Sequence, residues 1–157
     1  MKKYCLIVTC LLVSFLFVQQ ASAQKGTSYT NAVGMRVEFG SSYGTWAGFS
    51  GKHFFNENVA GELQLLFGNG TTLLEPELQY HGDIPNAAGL KWLIGFGPGF
   101  AFGHGTTDVL LRPLAGLDFK PNDVPLNFFF DWRPAFVITH GSDFEAARFG
   151  IGVRYAW

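Results

Sequence analysis

The chain has little charge, and its cysteines and only long apolar run are confined to its start. Charged residues make up 15% of 157, against about 25% in an ordinary soluble domain. Cys5 and Cys10 are the only cysteines, so the residues after them can form no disulfide framework and no thiolate site. No later run approaches the roughly 18 apolar residues of a membrane helix. With 17% aromatic residues, the composition also argues against disorder, a coiled coil or a nucleic-acid binder.

The first residues have the order of a secretory signal peptide. Lys2 and Lys3 precede an apolar run over residues 5–18, and the small residues Ala21-Ser22-Ala23 follow. We expect a Sec-type signal over residues 1–23, cleaved after Ala23, and one domain over residues 24–157. Cleavage removes 23 of the 157 residues and two of the 11 Lys and Arg, which leaves 134 residues with nine basic and twelve acidic side chains, net −3.

Apolar and polar residues alternate through the rest of the chain. Val33, Met35, Val37 and Phe39, for example, alternate with smaller or charged residues, and this period of two is typical of a strand. Glycine-, asparagine- and proline-rich turns separate the segments. The pattern predicts an all-β fold of eight strands, at residues 33–39, 45–55, 62–67, 74–81, 90–97, 111–119, 126–136 and 148–157.

Charged residues share one face of these strands, opposite the large apolar residues. Such a coat of Phe, Trp and Leu would be insoluble in water but suits lipid. Glycines accompany the charges, which indicates a narrow lumen where small residues leave room for long paired ones. Arg148 lies on the same face. The expected lumen charge network consists of Arg36, Glu38, Glu62, Glu75, Glu77, Lys91, Arg112, Asp118, Asp131, Arg133 and Arg154.

These features predict an eight-stranded antiparallel up-and-down transmembrane β-barrel, closed by pairing residues 33–39 with 149–157. Two alternatives remain, a narrow pore and a soluble periplasmic lipocalin-like binder. Prolines oppose the prediction, because each removes a backbone donor and a closed barrel has no edge to hold them. We expect bulges or rim positions at the four, which are Pro76, Pro98, Pro113 and Pro134.

Four parts of the chain carry a family resemblance, namely residues 48–55, Glu62 with 79–81, 131–136 and 149–157. They resemble the corresponding segments of a family of small outer-membrane β-barrels abundant in Bacteroidetes-type bacteria. The resemblance implies the architecture of the OmpA membrane domain and OmpX, in the cell outer membrane of a Gram-negative bacterium, with both chain ends in the periplasm. It implies outer-membrane lipid, periplasmic chaperones and the barrel-assembly machinery as partners. Its terminal assembly signal would be Phe149, Ile151, Val153, Tyr155 and Trp157.

One motif offers an enzymatic alternative to this structural or surface-interaction role. His140 and Ser142 have the His-x-Ser spacing of outer-membrane lipid A deacylases, in which the histidine activates the serine. Glu145 follows only three residues later, whereas that family places its glutamate in the last strand. We therefore predict a non-enzymatic, monomeric barrel.

The remaining aromatic and histidine residues indicate no cofactor. His53, His81 and His104 lie singly in separate segments, which does not match the spacing of metal ligands, so no metal is expected. Six aromatic residues are expected to anchor the barrel at the lipid interface, namely Trp46, Tyr80, Trp92, Trp132, Tyr155 and Trp157.

The signal-peptide assignment predicts the start of the mature protein. N-terminal sequencing of the protein purified from membranes should find Gln24, because signal peptidase cleaves after small residues such as Ala23. Ala23→Arg should retain the whole leader, with Ser28→Arg as the control. A mature protein that keeps Met1 would contradict the assignment.

Overall fold

The computed structural model describes residues 29–40, 44–139 and 143–157, and these ranges form an all-β barrel. No helix within them is long and apolar enough to cross a membrane. The strands are β1 (Asn31–Gly40), β2 (Trp46–Phe54), β3 (Val59–Gly68), β4 (Thr71–Asp83), β5 (Leu90–Gly103), β6 (Thr106–Phe119), β7 (Leu126–Trp132), β8 (Ala135–Val137), β9 (Asp143–Glu145) and β10 (Arg148–Ala156).

Short turns connect the strands because the sequence supplies residues that accept positive φ. Asn69-Gly70 joins β3 to β4 with φ values of 50° and 73°, and His104-Gly105 joins β5 to β6 with 52° and 78°. Two-residue hairpins need this geometry to match the strand twist. These turns lie at the rim opposite Tyr29 and Trp157. We call it the distal rim, and we call the rim that holds Tyr29 and Trp157 the terminal rim.

The ladder closes where the sequence predicts. β1 pairs with β10 from Val33 opposite Tyr155 to Phe39 opposite Phe149. Ten strand segments make eight barrel strands, because β7 with β8 form the seventh and β9 with β10 the eighth. The predicted closed eight-stranded antiparallel barrel is confirmed.

One β-bulge interrupts the last two barrel strands. Trp132 lies opposite Phe149, but Ala135 lies opposite Glu145. Two residues therefore separate these rungs on the seventh strand and three on the eighth, and this extra residue is what defines a bulge.

The expectation of bulges or rim positions at the prolines is wrong for Pro76, Pro98 and Pro113. Each lies mid-strand in a register that continues without a shift. Pairing between β4 and β5 stops after Leu74 and resumes at Leu78, and this gap places Pro76 directly opposite Pro98. Such a gap arises when the central pair exchanges no hydrogen bonds.

The same arrangement recurs between the sixth and seventh barrel strands. Pairing stops between Leu111 opposite Phe136 and Ala115 opposite Trp132, so Pro113 lies opposite Pro134. Since proline has no N–H, pairing proline with proline confines two missing donors to a single rung. The barrel thus contains two unbonded rungs, one on each side of the β5–β6 hairpin.

The strand faces have the polarity of a membrane barrel. On β1, Met35 is 60% exposed while its neighbour Arg36 is 1% exposed. The same alternation holds in β10, where Tyr155 is exposed and Arg154 is buried. Large apolar side chains therefore coat the outside, and charged side chains fill the inside.

Trp46 corrects one sequence prediction. We expected this residue at the lipid interface, but it is 7% exposed and faces the lumen. The reason is its register, because Trp46 pairs with Glu38, and paired residues share a face. The irregular alternation of residues 45–55 had concealed this phase.

The proline rungs generate a stability prediction. Pro98→Ala restores an N–H opposite the Pro76 carbonyl, so it should raise the free energy of unfolding by about 1 kcal/mol, the usual net value of a backbone hydrogen bond. Urea unfolding in phospholipid bilayers measures this change. Pro121→Ala, outside the strands, is the control. A loss of stability in Pro98→Ala would contradict the account.

Candidate functional site: the lumen charge network

The structure places most of the predicted charges in one buried layer. Ten of the eleven are at most 6% exposed, and the exception is Lys91. Lys91 lies instead at the terminal rim, where it pairs with the exposed Asp83 at 3.3 Å and donates to the Glu57 carbonyl. This position corrects the prediction of Lys91 as a lumen residue. Lys91 is on the inward face of β5, but it is only the second residue of that strand, so its side chain lies at the rim and not in the buried layer.

Sequence reasoning left two cations out of the network. Lys52 is 3% exposed and pairs with Asp118 at 3.1 Å and Glu62 at 3.4 Å. Arg148 is 2% exposed and pairs with Glu38 at 3.4 Å. Arg148 already stood on the predicted charged face, whereas Lys52 could have been found only by fixing the phase of β2.

Arg133 and Asp131 form the centre of the network. Arg133 Nε donates to Asp131 Oδ1 at 2.8 Å, and its Nη2 donates to Oδ2 at 3.0 Å. Its Nη1 donates to Glu75 at 3.2 Å and also to Glu77. Arg36 donates to the same Asp131 at 3.0 Å. Two guanidinium groups thus enclose one carboxylate, a geometry suited to the fixed planar donors of arginine.

A second group of charges lies toward the distal rim. Arg112 donates to Glu38 and to Glu75, both at 2.9 Å. Gly99 provides the space, because a Cβ there would lie 3.3 Å from the Arg112 Cδ. This group connects barrel strands that are three apart around the ring, since Glu38 belongs to β1 and Arg112 to β6.

A third group lies toward the terminal rim around Asp118. Lys52 donates to this carboxylate at 3.1 Å, Asn127 at 2.6 Å and the Tyr29 hydroxyl at 3.1 Å. Tyr29 precedes β1 and is buried against Phe54. Burial first, and then the Asp118 charge, raise the pKa of the Tyr29 hydroxyl well above its ordinary value. The hydroxyl therefore stays protonated and keeps donating to Asp118.

Phe129 is the aromatic member of the lumen. It is 4% exposed, and the Arg154 guanidinium lies 3.7 Å from its ring centroid, with that of Arg36 at 5.1 Å. A cation held over an aromatic face is stabilised further when water is excluded. Phe128 and Phe130 on either side face outward, so the three consecutive phenylalanines alternate with the strand period.

Like charges meet at one rung and are separated by their neighbours. Glu62 lies directly opposite Glu77 in the β3–β4 ladder, an arrangement that is destabilising by itself. The Gln79 amide donates to both, at 2.9 Å and 2.8 Å. Arg154 bonds Glu62, and Arg133 bonds Glu77. The two carboxylates are therefore bonded by different arginines.

Two cavities lie at opposite ends of this layer. One of about 300 Å³ at the terminal rim extends as far as Asp118, and one of about 310 Å³ at the distal rim extends as far as Arg112. The central residues Arg36, Asp131 and Arg133 line neither cavity. The arrangement therefore separates the two cavities by a layer of buried ion pairs.

The enzymatic candidates do not assemble into a described site. His140 and Ser142 lie outside the described residues. Glu145 is 7% exposed, and its carboxylate accepts the Ala147 N–H at 3.0 Å.

The three histidines in the described part of the chain make separate contacts. His53 Nδ1 contacts the Asn31 side chain at 2.8 Å at the terminal rim, and His104 Nε2 lies 3.3 Å from the Asn69 carbonyl oxygen at the distal rim. His81 is buried beside Gln79 and Phe54. Over the part of the chain that the structure describes, no group of three His, Cys, Asp or Glu side chains could hold a metal ion.

The proposed assembly-signal residues share the outer face of β10 and the chain end. Ile151, Tyr155 and Trp157 are at least half exposed, Val153 is 39% exposed and Phe149 packs against Phe39 and Phe130. The structure gives their position, and their role in assembly stays a prediction.

Comparison with solved structures finds the same architecture elsewhere. The N-terminal β-barrel domain of Pseudomonas aeruginosa OprF is similar over 83% of this chain and 100% of its own, with a TM-score of 0.62 and 15% sequence identity. The two proteins share a fold. Neisserial surface protein A (NspA) aligns over 85% of this chain and 100% of its own, with a TM-score of 0.45 and 15% identity. No protein-family model matches the chain, and no curated protein matches it.

The central cluster generates a stability prediction. Arg133→Met should lower the free energy of unfolding by about 3–5 kcal/mol, because Asp131, Glu75 and Glu77 would lose their shared partner in a buried site. Urea unfolding in bilayers gives the value. Lys91→Met is the matched control and should change it by less than about 1 kcal/mol, since its ion pair is exposed. Equal effects of the two substitutions would contradict a buried network.

Proposed function

We propose that this chain is a monomeric, non-enzymatic outer-membrane β-barrel that seals its own lumen and serves envelope integrity or surface interaction. The observation that carries this proposal is the inverted polarity of the barrel. Residues such as Met35 and Phe49 are about 60% exposed, while Arg36, Glu38 and Arg133 are at most 1% exposed. A soluble barrel would reverse this arrangement, whereas a bilayer favours it.

The backbone supports a membrane location independently. In hydrocarbon every backbone group must find a partner within the protein, so a sheet has to close. Here β1 pairs with β10 over nine residues, from Ala32–Ala156 to Gly40–Arg148. The exposed Tyr80, Trp92, Tyr155 and Trp157 lie near the terminal rim and fit positions where aromatic rings meet head groups, whereas Trp132 is exposed in the middle of the seventh barrel strand.

The lumen supports a sealed barrel over a pore. Eight strands leave an interior that side chains can just fill. The layer around Arg36, Asp131 and Arg133 occupies that interior with multiply bonded charges. A permeating ion would have to displace these partners, each of which would then remain buried and unpaired.

The loops bear on the choice between the two roles. Among the connections that the structure describes from end to end, none exceeds six residues, and two at the distal rim have only two. Outer-membrane barrels usually carry longer extracellular loops than these, and recognition of a partner needs exposed surface. The short connections therefore favour a role in envelope integrity over adhesion.

The finer family assignment and the biogenesis route belong to the same proposal. The resemblance of residues 131–136 and 149–157 supports membership in the small barrel family abundant in Bacteroidetes-type bacteria. A Sec-type leader cleaved after Ala23 would export the chain. Chaperones and the barrel-assembly machinery would then recognise the alternating apolar face that ends at Trp157.

A charge on the outer face tests the membrane location. Met35→Arg should lower the free energy of unfolding in phospholipid bilayers by about 2–4 kcal/mol, because a mid-strand arginine would enter hydrocarbon. The matched control is Ile138→Arg, which is also outward, 64% exposed and next to the distal rim. That change should cost about 0–1 kcal/mol. A neutral Met35→Arg would show that the face meets water and would overturn the proposal.

A further inference from the structure

The barrel wall beside the distal cavity contains a short seam. Between the rung of Pro113 and Pro134 and the distal rim, the described residues join β6 to β8 by two rungs. These are Leu110 with Val137 and Leu111 with Phe136, and we call them the β6–β8 seam. One further backbone bond, from the Ile138 N–H to the Val109 carbonyl at 2.8 Å, follows toward the rim. On the other edge of the same hairpin, β5 shares four rungs with β4 beyond its own proline rung.

The base of the seam has the properties of a hinge. Pro113 and Pro134 both lack the N–H with which an antiparallel pair exchanges its bonds. Pairing accordingly skips three residues on each strand. From the lumen side, Arg112 donates to the Arg133 carbonyl at 3.3 Å. The base is therefore anchored from inside, while its two prolines exchange no ladder bond that would resist rotation.

The other edge of β8 is also lightly held. Ala135–Val137 pair with Asp143–Glu145 over three rungs, and the β-bulge separates these rungs from those between β7 and β10. Within the described residues, β9 pairs with β8 alone. The two strands thus form a small β8–β9 flap, which meets the neighbouring wall through the seam.

The seam separates the distal cavity from the outside of the barrel. Its inward residues, Leu110 and Val137, line the cavity of about 310 Å³. Its outward residues, Leu111 and Phe136, are 44% and 41% exposed on the apolar outer face. A wall of two rungs therefore lies between the cavity and the surrounding acyl chains.

The cavity wall behind the seam is apolar. Trp46, Ala101 and Ala135 line it beside Leu110 and Val137, and all five pack together in one cluster inside the barrel. Apolar surface is stabilised when an apolar group replaces the water against it. This part of the cavity therefore favours a hydrocarbon occupant.

The charged groups of the cavity do not select a charged ligand. Arg112 and Arg148 both donate to Glu38, at 2.9 Å and 3.4 Å. Asp108 at the mouth accepts from the Thr139 hydroxyl at 3.0 Å. Because these groups already have partners in the protein, the apolar wall decides the class of ligand.

We propose that the β6–β8 seam opens and admits one acyl chain of a surrounding phospholipid, which lies in the distal cavity against Trp46, Ala101 and Ala135. Acyl chains already cover the outer face of the seam in a bilayer, and they are about as apolar as leucine side chains. The volume of about 310 Å³ holds about ten groups the size of water, at about 30 Å³ each, so a segment of several methylenes fits.

The central charge layer stays closed during this exchange. Arg36, Asp131 and Arg133 do not line the distal cavity, so a chain that enters through the seam stops above them. The inference goes beyond a structural role and rests on the proposed membrane location.

Nuclear Overhauser contacts between lipid chains and alanine methyl groups test the site in nanodiscs of dimyristoylphosphatidylcholine. The full mature chain, deuterated except at these methyl groups, should show contacts from acyl-chain methylene protons to Ala101 and Ala135. Ala47 faces outward and should contact lipid, whereas the inward Ala60 near the terminal rim should not. Contacts to Ala47 without contacts to Ala101 or Ala135 would overturn the inference and leave the membrane location intact. Missing contacts to Ala47 would contradict the membrane location itself.

A disulfide across the seam tests the route of entry. Leu110→Cys with Val137→Cys joins the directly opposite inward pair, and the chain has no cysteine after Cys10 that could compete. Oxidation should lower the lipid contacts of Ala135 at least fivefold, and reduction should restore them. Equal contacts in both redox states would show entry through the mouth of the cavity and would overturn the proposed route.

The matched control is a disulfide across the other edge of the hairpin. Leu73→Cys with Ala101→Cys lies three rungs from its proline rung, as the seam pair does. It also borders the same apolar cluster, but it leaves the seam free. Oxidation of this variant should therefore leave the contacts of Ala135 unchanged, and a loss as large as that of the seam variant would contradict the route.

If the cysteine variants fail to fold, a substitution at the hinge replaces them. Pro134→Ala restores an N–H opposite the Pro113 carbonyl and should lower the lipid contacts of Ala135 at least twofold, because the added bond holds the base of the seam. Pro121→Ala, outside the strands, should have no effect. Unchanged contacts in Pro134→Ala would contradict the hinge.

Discussion

The pairing of buried charges inside a closed ring is the interaction on which the structure depends. Arg36, Arg133 and their acidic partners are taken completely out of water, and an unpaired charge there would be very costly. The partners come from strands far apart in sequence, such as Arg36 and Asp131. Pairs of this kind can form only when the ring has closed, although Arg133 and Asp131 can already pair within one strand, so closure completes the charge neutralisation.

Backbone pairing imposes the second constraint. Four prolines remove donors in the strands or at their ends, yet they lie opposite one another as Pro76 with Pro98 and Pro113 with Pro134. This arrangement limits the loss to two rungs and leaves the β5–β6 ladder intact. The distal cavity lies beside these rungs, since Ala101 and Leu110 belong to the same hairpin.

Period-two alternation was enough to predict the fold class, the closure and the burial of residues such as Asp131 and Arg133. It failed where alternation was weak. Trp46 and Lys52 were misplaced or omitted because β2 carries glycines and aromatics on both faces, and only its pairing with β1 sets the phase. The opposed prolines could not be predicted either, because direct opposition depends on a register between strands that no local pattern contains.

The central claim is that the large apolar side chains meet lipid while the charged face is enclosed. Phe128, Phe129 and Phe130 test it most directly, because three identical residues in succession differ only in face. Lipids carrying a spin label in the acyl chain broaden nearby proton signals, so assigned ring signals in nanodiscs report the distance to lipid. The account predicts broadening of Phe128 and Phe130 with a sharp Phe129, and broadening of Phe129 alone would contradict it.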